Sequence, residues 1–183
     1  MATTTIKDAM YGAARGGDLD LLRTLVEANG YDTILSYAAA RGGHVNILKW
    51  IIQMGYQLSD STCVAAARWG DVNILKWLKE SGHPWDTNGC FEAATCGHIN
   101  VLRWYRRHGC PWDGQVCWGA ATNLQFEALK WCVEHGCPWD SQVCSDEVRK
   151  WETPEYAACD NSELSHAREN IKQWVDMQTY ITV

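Results

Sequence analysis

Cysteine and histidine pairs at short spacing are the residues of this sequence that come closest to a chemical motif. They occur at Cys96-Gly97-His98, His108-Gly109-Cys110 and His135-Gly136-Cys137. Both residue types bind zinc, but a structural zinc site needs four ligands that converge on one point at about 2.0–2.3 Å. The second and third pairs are copies of the same short segment, which recurs further along the chain. Whether these pairs can bind one zinc ion together therefore depends on the distance between the copies.

The copies are predicted to lie too far apart to share a ligand. Equivalent positions in neighbouring copies are separated by one helix-packing step, on the order of 10 Å. They therefore form a ladder instead of a cluster. The same step exceeds the roughly 7 Å that the Cα atoms of a disulfide can span. We expect no metal site, no cofactor and no disulfide between equivalent positions, while pairs of cysteines at non-equivalent positions stay open.

No motif for catalysis accompanies these pairs. The sequence contains no glycine-rich phosphate loop, no nucleophile elbow and no pair of carboxylates outside its repeated pattern. His44 and His98 are accounted for by their place in a turn, where an imidazole can hydrogen-bond the neighbouring backbone. We therefore expect that the protein is not an enzyme.

Composition and charge limit the kinds of partner and the cellular location that the sequence predicts. The formal net charge is −6 and the pI is near 5.4, which makes nucleic acid an unlikely partner because its binding requires a broad basic face. No stretch approaches the roughly 18 consecutive apolar residues of a membrane span. The start, Met1 to Asp8, lacks the basic and apolar regions of a secretory signal. We expect an intracellular protein that is monomeric alone and has no membrane association.

A constant step of about 27 residues organises most of the chain, within the range of repeat lengths that is typical of a solenoid or array. It relates tryptophans, glycines, alanine pairs and cysteines at four independent sets of positions. The sets are Trp50, Trp77, Trp104 and Trp131; Gly55, Gly82, Gly109 and Gly136; the Ala-Ala pairs at 39–40, 66–67, 93–94 and 120–121; and Cys63, Cys90, Cys117 and Cys144. The cysteines of the last set are predicted to be small buried hydrophobic residues.

Each unit is predicted to be helix, tight turn, helix, loop. Asp86, Asp113 and Asp140 stand where an N-cap would satisfy the first amides of the first helix. Gly97 supplies the left-handed turn that ends this helix. Asp18 and Asp71 cap the second helix of their units.

The second helix of a unit is predicted to bury one face. In residues 99–107 the apolar stripe consists of Ile99, Val101, Leu102 and Tyr105. Gly109 and Pro111 prevent the helix from continuing, and Trp112 fills the seam before the next unit. One helix pair cannot bury both of its apolar faces alone, so neighbouring units are expected to stack on each other.

These motifs resemble a known family. Residues 39–50, Ala-Ala-Arg-Gly-Gly-His-Val-Asn-Ile-Leu-Lys-Trp, are similar to the ankyrin repeat. The loop Gly-Cys-Pro-Trp-Asp at 109–113 and 136–140 resembles a shortened variety that is abundant in giant DNA viruses, amoebae, oomycetes and brown algae. The usual ankyrin unit has about 33 residues, so the β-finger is shortened here. The resemblance implies an all-α, ankyrin-like helical-hairpin solenoid of five repeats with reduced β-fingers and a degenerate C-terminal cap.

The repeat pattern also places the boundaries. Residues 1–32 are predicted to be an N-terminal capping repeat that is slightly out of step, and 33–140 to be four repeats of about 27 residues each. Leu124 stands where glycine is expected, which leaves that turn uncertain. Residues 141–183 are predicted to be a degenerate sixth repeat or cap; the alternative is a partner-specific element. Its apolar face is formed by Leu164, Ala167, Ile171, Trp174 and Val175, with a capping box at Asp160 and Glu163.

The resemblance also implies where a partner binds. In ankyrin arrays the two residues that follow each Ala-Ala pair lie on the concave face. The candidate partner-binding residues are Arg15, Arg41, Arg68, Trp69, Thr95 and Thr122. A ladder of arginines beside one tryptophan suits an acidic extended segment of another protein. The alternative is that the arginines are solvated and only stabilise the helix, through the favourable interaction of a positive charge with the helix C-terminus.

The expected function is therefore a protein–protein interaction module without catalytic activity. The alternative is a structural subunit built permanently into a larger assembly, such as a virion or an organelle complex, which should expose a large apolar patch when alone. The resemblance implies a location in the cytoplasm, or in the host cytoplasm or virion if the chain is viral. A second basic column on the outer helices, Lys49, Lys76, Arg103 and Lys130, is interpreted as solvated surface.

Overall fold

The computed structural model describes residues 2–84, 87–150 and 162–181, and these residues form helices with no strand among them. The helices are α1 Ala2–Gly16, α2 Leu19–Asn29, α3 Ile34–Gly42, α4 Val45–Gln53, α5 Ser61–Arg68, α6 Val72–Glu80, α7 Thr87–Thr95, α8 Ile99–Arg107, α9 Gly114–Thr122, α10 Phe126–Glu134, α11 Ser141–Lys150 and α12 Ser162–Ile181. The predicted all-α class is confirmed. In the described part of the chain, no helix is both long and apolar enough to cross a bilayer.

The helices belong to two compact units, Met1–Trp85 and Asp86–Val183. In the first unit, consecutive helices pair as α1 with α2, α3 with α4 and α5 with α6, and the first helices α1, α3 and α5 pack side by side. In the second unit, α7 pairs with α8, α9 with α10 and α11 with α12, and α7, α9 and α11 pack in succession. Each unit is therefore held together by packing within its helix pairs and between their first helices.

The first helices α3, α5, α9 and α11 are each capped by a side chain at the same position of the repeat. Asp113 Oδ1 accepts from Gln115 N at 3.0 Å, and Asp140 Oδ1 accepts from the amides of residues 142 and 143 at 2.9 and 3.1 Å. Asp32 caps α3 in the same way, through Ile34 N at 3.1 Å. Ser59 Oγ accepts from Ser61 N at 3.3 Å at the start of α5. The predicted caps are confirmed at 113 and 140; Asp86 lies outside the described residues.

The second helices carry their own caps. Asp71 Oδ1 accepts from Asn73 N and Ile74 N at 2.8 and 3.1 Å, and Asp18 Oδ1 accepts from Leu21 N at 3.0 Å. His44 makes no capping bond to α4. Its Nε2 instead lies 2.9 Å from the carbonyl oxygen of Arg15. The imidazole thus bonds the backbone as predicted, but it reaches the preceding helix pair.

The turn inside each helix pair uses a left-handed residue. Gly43, Gly70 and Gly97 adopt φ of 82°, 77° and 76°. Leu124 takes the same place with φ 60°. Gln125 N donates to Ala120 O at 2.9 Å, as His98 N donates to Ala93 O at 2.8 Å. The turn at Leu124 is therefore formed in spite of the missing glycine, because the same backbone bond closes it.

The core of each unit comes from the repeated small and aliphatic positions. Val101, Leu102 and Tyr105 of the predicted stripe are fully buried, and Ile99 is half-buried. The alanine pairs and the four predicted cysteines are buried as well. On α12, Ile171 and Val175 are buried, while Trp174 lies 5.6 Å from Trp139 and 6.1 Å from Phe126, ring centre to ring centre. From the predicted apolar face of α12, Ile171, Trp174 and Val175 thus pack on their own unit. Asp160 and the side chains of Glu163 and Leu164 lie outside what the structure describes.

Candidate functional site

The C-terminal ends of α1, α3 and α5 lie side by side in the first unit, because these helices pack against one another. Each end carries an arginine in its last turn: Arg15, Arg41 and Arg68. Trp69 follows directly as the C-cap residue of α5. The packing of the first helices therefore assembles four of the six candidate partner-binding residues at one edge of this unit.

Trp69 is the centre of this group. The guanidinium carbon of Arg41 lies 4.7 Å from the ring centre of Trp69, and that of Arg68 lies 5.6 Å away. Tyr37 meets the indole edge-on, with 6.0 Å between ring centres and an interplanar angle of 89°. Arg41 Nη1 also donates to the hydroxyl of Tyr11 at 3.2 Å. We call Tyr11, Tyr37, Arg41, Arg68 and Trp69 the Trp69 cluster.

The Trp69 cluster keeps an aromatic surface open to solvent. Trp69 remains 37% exposed although two guanidinium groups and one ring contact it. Contacts between a cation and an aromatic face each contribute about 0.5–1 kcal/mol at exposed sites, so together they favour this orientation of the indole. The helix dipole explains why arginine is favourable at the ends of α3 and α5. It does not explain an exposed indole in contact with both side chains.

Arg15 is positioned by its backbone. Its side chain is exposed, and its carbonyl oxygen lies 2.9 Å from His44 Nε2. A β-carbon at Gly42 would overlap the same carbonyl oxygen. The end of α1 is therefore fixed closely against the end of α3, and Gly42 is required by this close approach.

The two threonine candidates lie in the second unit. Thr122 Oγ1 donates to Trp118 O at 3.0 Å within α9. The hydroxyl of Thr95 is buried without a hydrogen-bond partner in the described structure. A β-carbon at Gly119 would lie 2.8 Å from it, so Thr95 faces α9. Partner binding by Thr95 and Thr122, like that by the four residues of the first unit, stays a prediction.

An aromatic column was missed by the sequence analysis. Four residues before each candidate position, the first helices carry Tyr11, Tyr37, Val64, Phe91 and Trp118. Phe91 and Trp118 stack in the second unit, with 6.3 Å between ring centres and 14° between planes. Residues four apart share one helix face, so this spacing was the signal that could have found Tyr11 and Tyr37.

Cys90 and Cys137 are poor nucleophiles. Cys90 Sγ donates to Cys110 Sγ at 3.6 Å, and the contact together with burial raises the pKa of Cys90 far above its ordinary value. Contact with Cys117 and burial do the same to the pKa of Cys137, whose Sγ donates to Asp113 O at 3.3 Å. A thiolate is the reactive form of cysteine, so these side chains are held in the unreactive form.

The cysteines of the described residues are thiols outside any disulfide, and all of them except Cys96 are buried. The Cys90 and Cys110 pair, at non-equivalent positions, is thus in contact but not bridged. Within residues 2–84, 87–150 and 162–181, no group of three or more His, Cys, Asp or Glu side chains is arranged to hold a metal ion. The buried cysteines thus form part of the packed interior of each unit.

The sequence matches no protein-family model and no curated protein.

Proposed function

We propose that this chain is a non-catalytic recognition module that binds an extended acidic segment of another protein through the Trp69 cluster. In this proposal the chain is an ankyrin-like solenoid of five repeats with reduced β-fingers, ended by the cap at residues 141–183. The helix pairs of each unit, and the capping bonds that recur from one repeat to the next, support it. The location inside the cell belongs to the same proposal.

The exposed indole of Trp69 in contact with Arg41 and Arg68 is the observation that carries the proposal. Tryptophan and arginine are the side chains that most often dominate the energy of protein interfaces. An indole that is already held in place loses little conformational entropy on binding. The other helix pairs have glycine, cysteine or asparagine at this position, so the tryptophan is not needed for the repeat itself.

The chemistry of the cluster favours carboxylates on the partner. Guanidinium groups form paired hydrogen bonds with carboxylates, and this surface is basic although the whole chain has a net charge of −6. Neighbouring helices are on the order of 10 Å apart, which is about three residues of an extended chain at roughly 3.3 Å each. We therefore expect acidic residues at a spacing of three in the bound segment.

A displayed library of random twelve-residue peptides tests this function. The bait is the full chain, compared with Arg41→Glu/Arg68→Glu/Trp69→Ala. The matched control is Lys76→Glu/Arg103→Glu, which makes the same charge change at exposed positions of α6 and α8. We expect the full chain and the control to enrich peptides with Asp or Glu three residues apart. The triple variant should bind these peptides at least about 30-fold more weakly, which corresponds to about 2 kcal/mol.

Three results would decide against the proposal. One is enrichment of the same peptides by the triple variant with unchanged helicity. Another is loss of binding in the control, which would move recognition to the outer helices. The third is no acidic enrichment by any bait, which would favour the structural-subunit alternative.

A further inference from the structure

One position of the repeat carries an aromatic residue in every unit but one. At successive repeat steps, the loop before each first helix carries Tyr31, Leu58, Trp85, Trp112 and Trp139. Leu58 is the single non-aromatic member of this set in the sequence. The proline and aspartate that flank Trp112 are also replaced, by Gln57 and Ser59.

The aromatic residue fills a defined place where the structure describes it. The ring of Trp112 packs edge-to-face on Trp131 of α10, with 5.9 Å between ring centres. The guanidinium carbon of Arg106 lies 4.2 Å from the centre of the Trp112 ring. Tyr31 packs on Tyr56, with 4.4 Å between ring centres and 12° between planes. The loop aromatic at Trp112 is thus held between the end of its own second helix and a side chain of the following unit.

At Leu58 the same place is a cleft. The residues equivalent to Trp131 and Arg106 are Trp77 and Ile52. These two residues and Leu58 line an open cleft of about 670 Å³ within the first unit. Ile52 is 38% exposed there, and the Trp77 indole is half-exposed. Leucine does not reach far enough to cover the surface that an indole covers in the second unit.

The polar lining of the cleft favours a neutral hydrogen-bond donor. Lys49, Asp60 and His83 contribute to its walls, so one ammonium and one carboxylate balance each other. Asp60 makes no capping bond to α5, because Ser59 caps that helix. Its carboxylate remains an acceptor at the cleft. An indole N–H is a donor without acceptor capacity, which complements this carboxylate.

We propose that this cleft binds a tryptophan side chain from an extended segment of a partner protein, in the place that the loop tryptophan occupies in the second unit. The cleft volume lies within the range of about 300–1,000 Å³ that is typical of ligand sites. It is several times larger than one indole, so the neighbouring residues of the segment also fit. The site is separate from the Trp69 cluster, and the proposal does not depend on the function proposed for that cluster.

A labelled peptide that copies the loop of the second unit is the probe. Its sequence is that of residues 108–114 with serine in place of the cysteine, and it carries fluorescein at the N-terminus; a matched peptide has alanine in place of tryptophan. Fluorescence polarisation measures binding to the full chain and to Leu58→Trp, Leu58→Met and Trp69→Ala. N-acetyltryptophanamide serves as a free-indole competitor.

We expect the tryptophan peptide to bind the full chain at least tenfold more tightly than the alanine peptide. Leu58→Trp should abolish binding, because the chain then fills the cleft with its own indole, and it should keep its helicity since it restores the residue of the other repeats. Leu58→Met should still bind the tryptophan peptide more tightly than the alanine peptide, because methionine leaves the cleft open. Trp69→Ala, outside the cleft, should leave the affinity within twofold. The free competitor should displace the peptide only at concentrations at least tenfold above the peptide's own dissociation constant.

Four outcomes would overturn the inference. They are equal affinity of the full chain for both peptides, no binding of the tryptophan peptide by the full chain, unchanged binding of that peptide by Leu58→Trp, and binding of N-acetyltryptophanamide as tightly as the peptide.

If Leu58→Trp loses helicity, the variant Ile52→Glu tests the cleft instead. Ile52 is exposed at the cleft wall, so its replacement leaves the core intact, and the added charge should weaken the peptide at least tenfold. Binding that Ile52→Glu does not change would contradict a site in this cleft.

Discussion

The Trp69 cluster shows how neighbouring positions of a repeat combine into one surface. Arg41 contributes from α3, whereas Arg68 and Trp69 contribute from the end of α5, and the contact distances of 4.7 and 5.6 Å connect them. Tyr11 and Tyr37 extend the same surface from the preceding turns of α1 and α3. The three residues named from sequence alone are joined in the structure. The two tyrosines were not predicted because they precede the alanine pairs, whereas the ankyrin resemblance implies partner contacts only for the positions that follow them.

At the scale of single residues, Cys144 gives a prediction on pH. Burial, followed by the charges of Asp140 and Glu147, raises its pKa from 9.0 to about 11. The folded state therefore favours the neutral thiol, and the stability linked to it is fully present below pH 9 and is lost as the pH rises through 11. In the presence of a phosphine reductant, we expect the free energy of unfolding to fall between pH 8.5 and 10.5.

Cys144→Ala separates this effect from the rest of the protein. Urea unfolding at both pH values, followed by circular dichroism, should show a smaller decrease with pH in the variant than in the parent chain. The lost packing lowers stability equally at both pH values, so the comparison rests on the difference between them. An identical decrease in the two proteins would show that Cys144 does not take part in the alkaline loss.

At the scale of helices, Gly16 and Gly42 form a matched pair. Both are the last residues of a first helix, α1 and α3. A β-carbon at Gly42 would overlap the carbonyl oxygen of Arg15, whereas a β-carbon at Gly16 would meet no atom within 4 Å. We expect Gly42→Ala to destabilise the fold by about 1–3 kcal/mol, because two packed helices must separate. Gly16→Ala should stabilise it by up to about 1 kcal/mol through helix propensity.

Urea unfolding of the two variants measures both free energies. The opposite signs are the decisive feature, because the chemical change is the same at both positions. A destabilisation of similar size in both variants would mean that helix packing at Gly42 is not the cause.

The repeat pattern predicts the turn inside a helix pair where glycine is present, but it does not predict the turn at Leu124. Gly97 was expected to be left-handed, and it is, as are Gly43 and Gly70 at the same place in their units. At Leu124 the residue type contradicts the pattern, yet the bond from Gln125 N to Ala120 O forms the same turn. Left-handed backbone costs leucine on the order of 1–2 kcal/mol, which the packing of the adjoining helices must offset. That balance depends on tertiary contacts and could not be derived from residue type.

At the scale of the whole molecule, each compact unit has a core of its own. Leu48 in α4 and Leu129 in α10 are both fully buried, one in each unit. Replacing either by alanine should cost about 2–5 kcal/mol. We expect hydrogen exchange measured by mass spectrometry to show Leu48→Ala lowering protection across residues 2–84. Leu129→Ala should act on the helices from residue 87 onward.

The distribution of amide protection between the two units tests whether each unit has its own core. Each variant should leave the amides of the other unit closer to their parent exchange rates than those of its own unit. Equal loss across all peptides in both variants would contradict separate cores and would instead indicate one cooperative fold.

The helices and their order were predictable because a periodic signal repeated along the chain determined them jointly. The caps at Asp113 and Asp140, the left-handed glycines and the buried cysteine column follow from residue type at fixed positions. The cleft beside Leu58 was not predicted, since it results from the size difference between leucine and tryptophan in a packed setting. The division into two units was also missed, because a uniform period contains no information about where contacts become sparse.

The uneven exposure of the cysteines also makes the protein convenient to handle as a reagent. Cys96 is the half-exposed thiol among otherwise buried ones in the described residues, and Cys159 lies outside them. In a Cys159→Ser background, a maleimide dye should therefore attach at Cys96 under native conditions. That position is equivalent to Trp69 in the repeat, so the dye would stand at a predicted partner-binding face without any engineered cysteine. Its emission would then follow the arrival of a binding protein in real time.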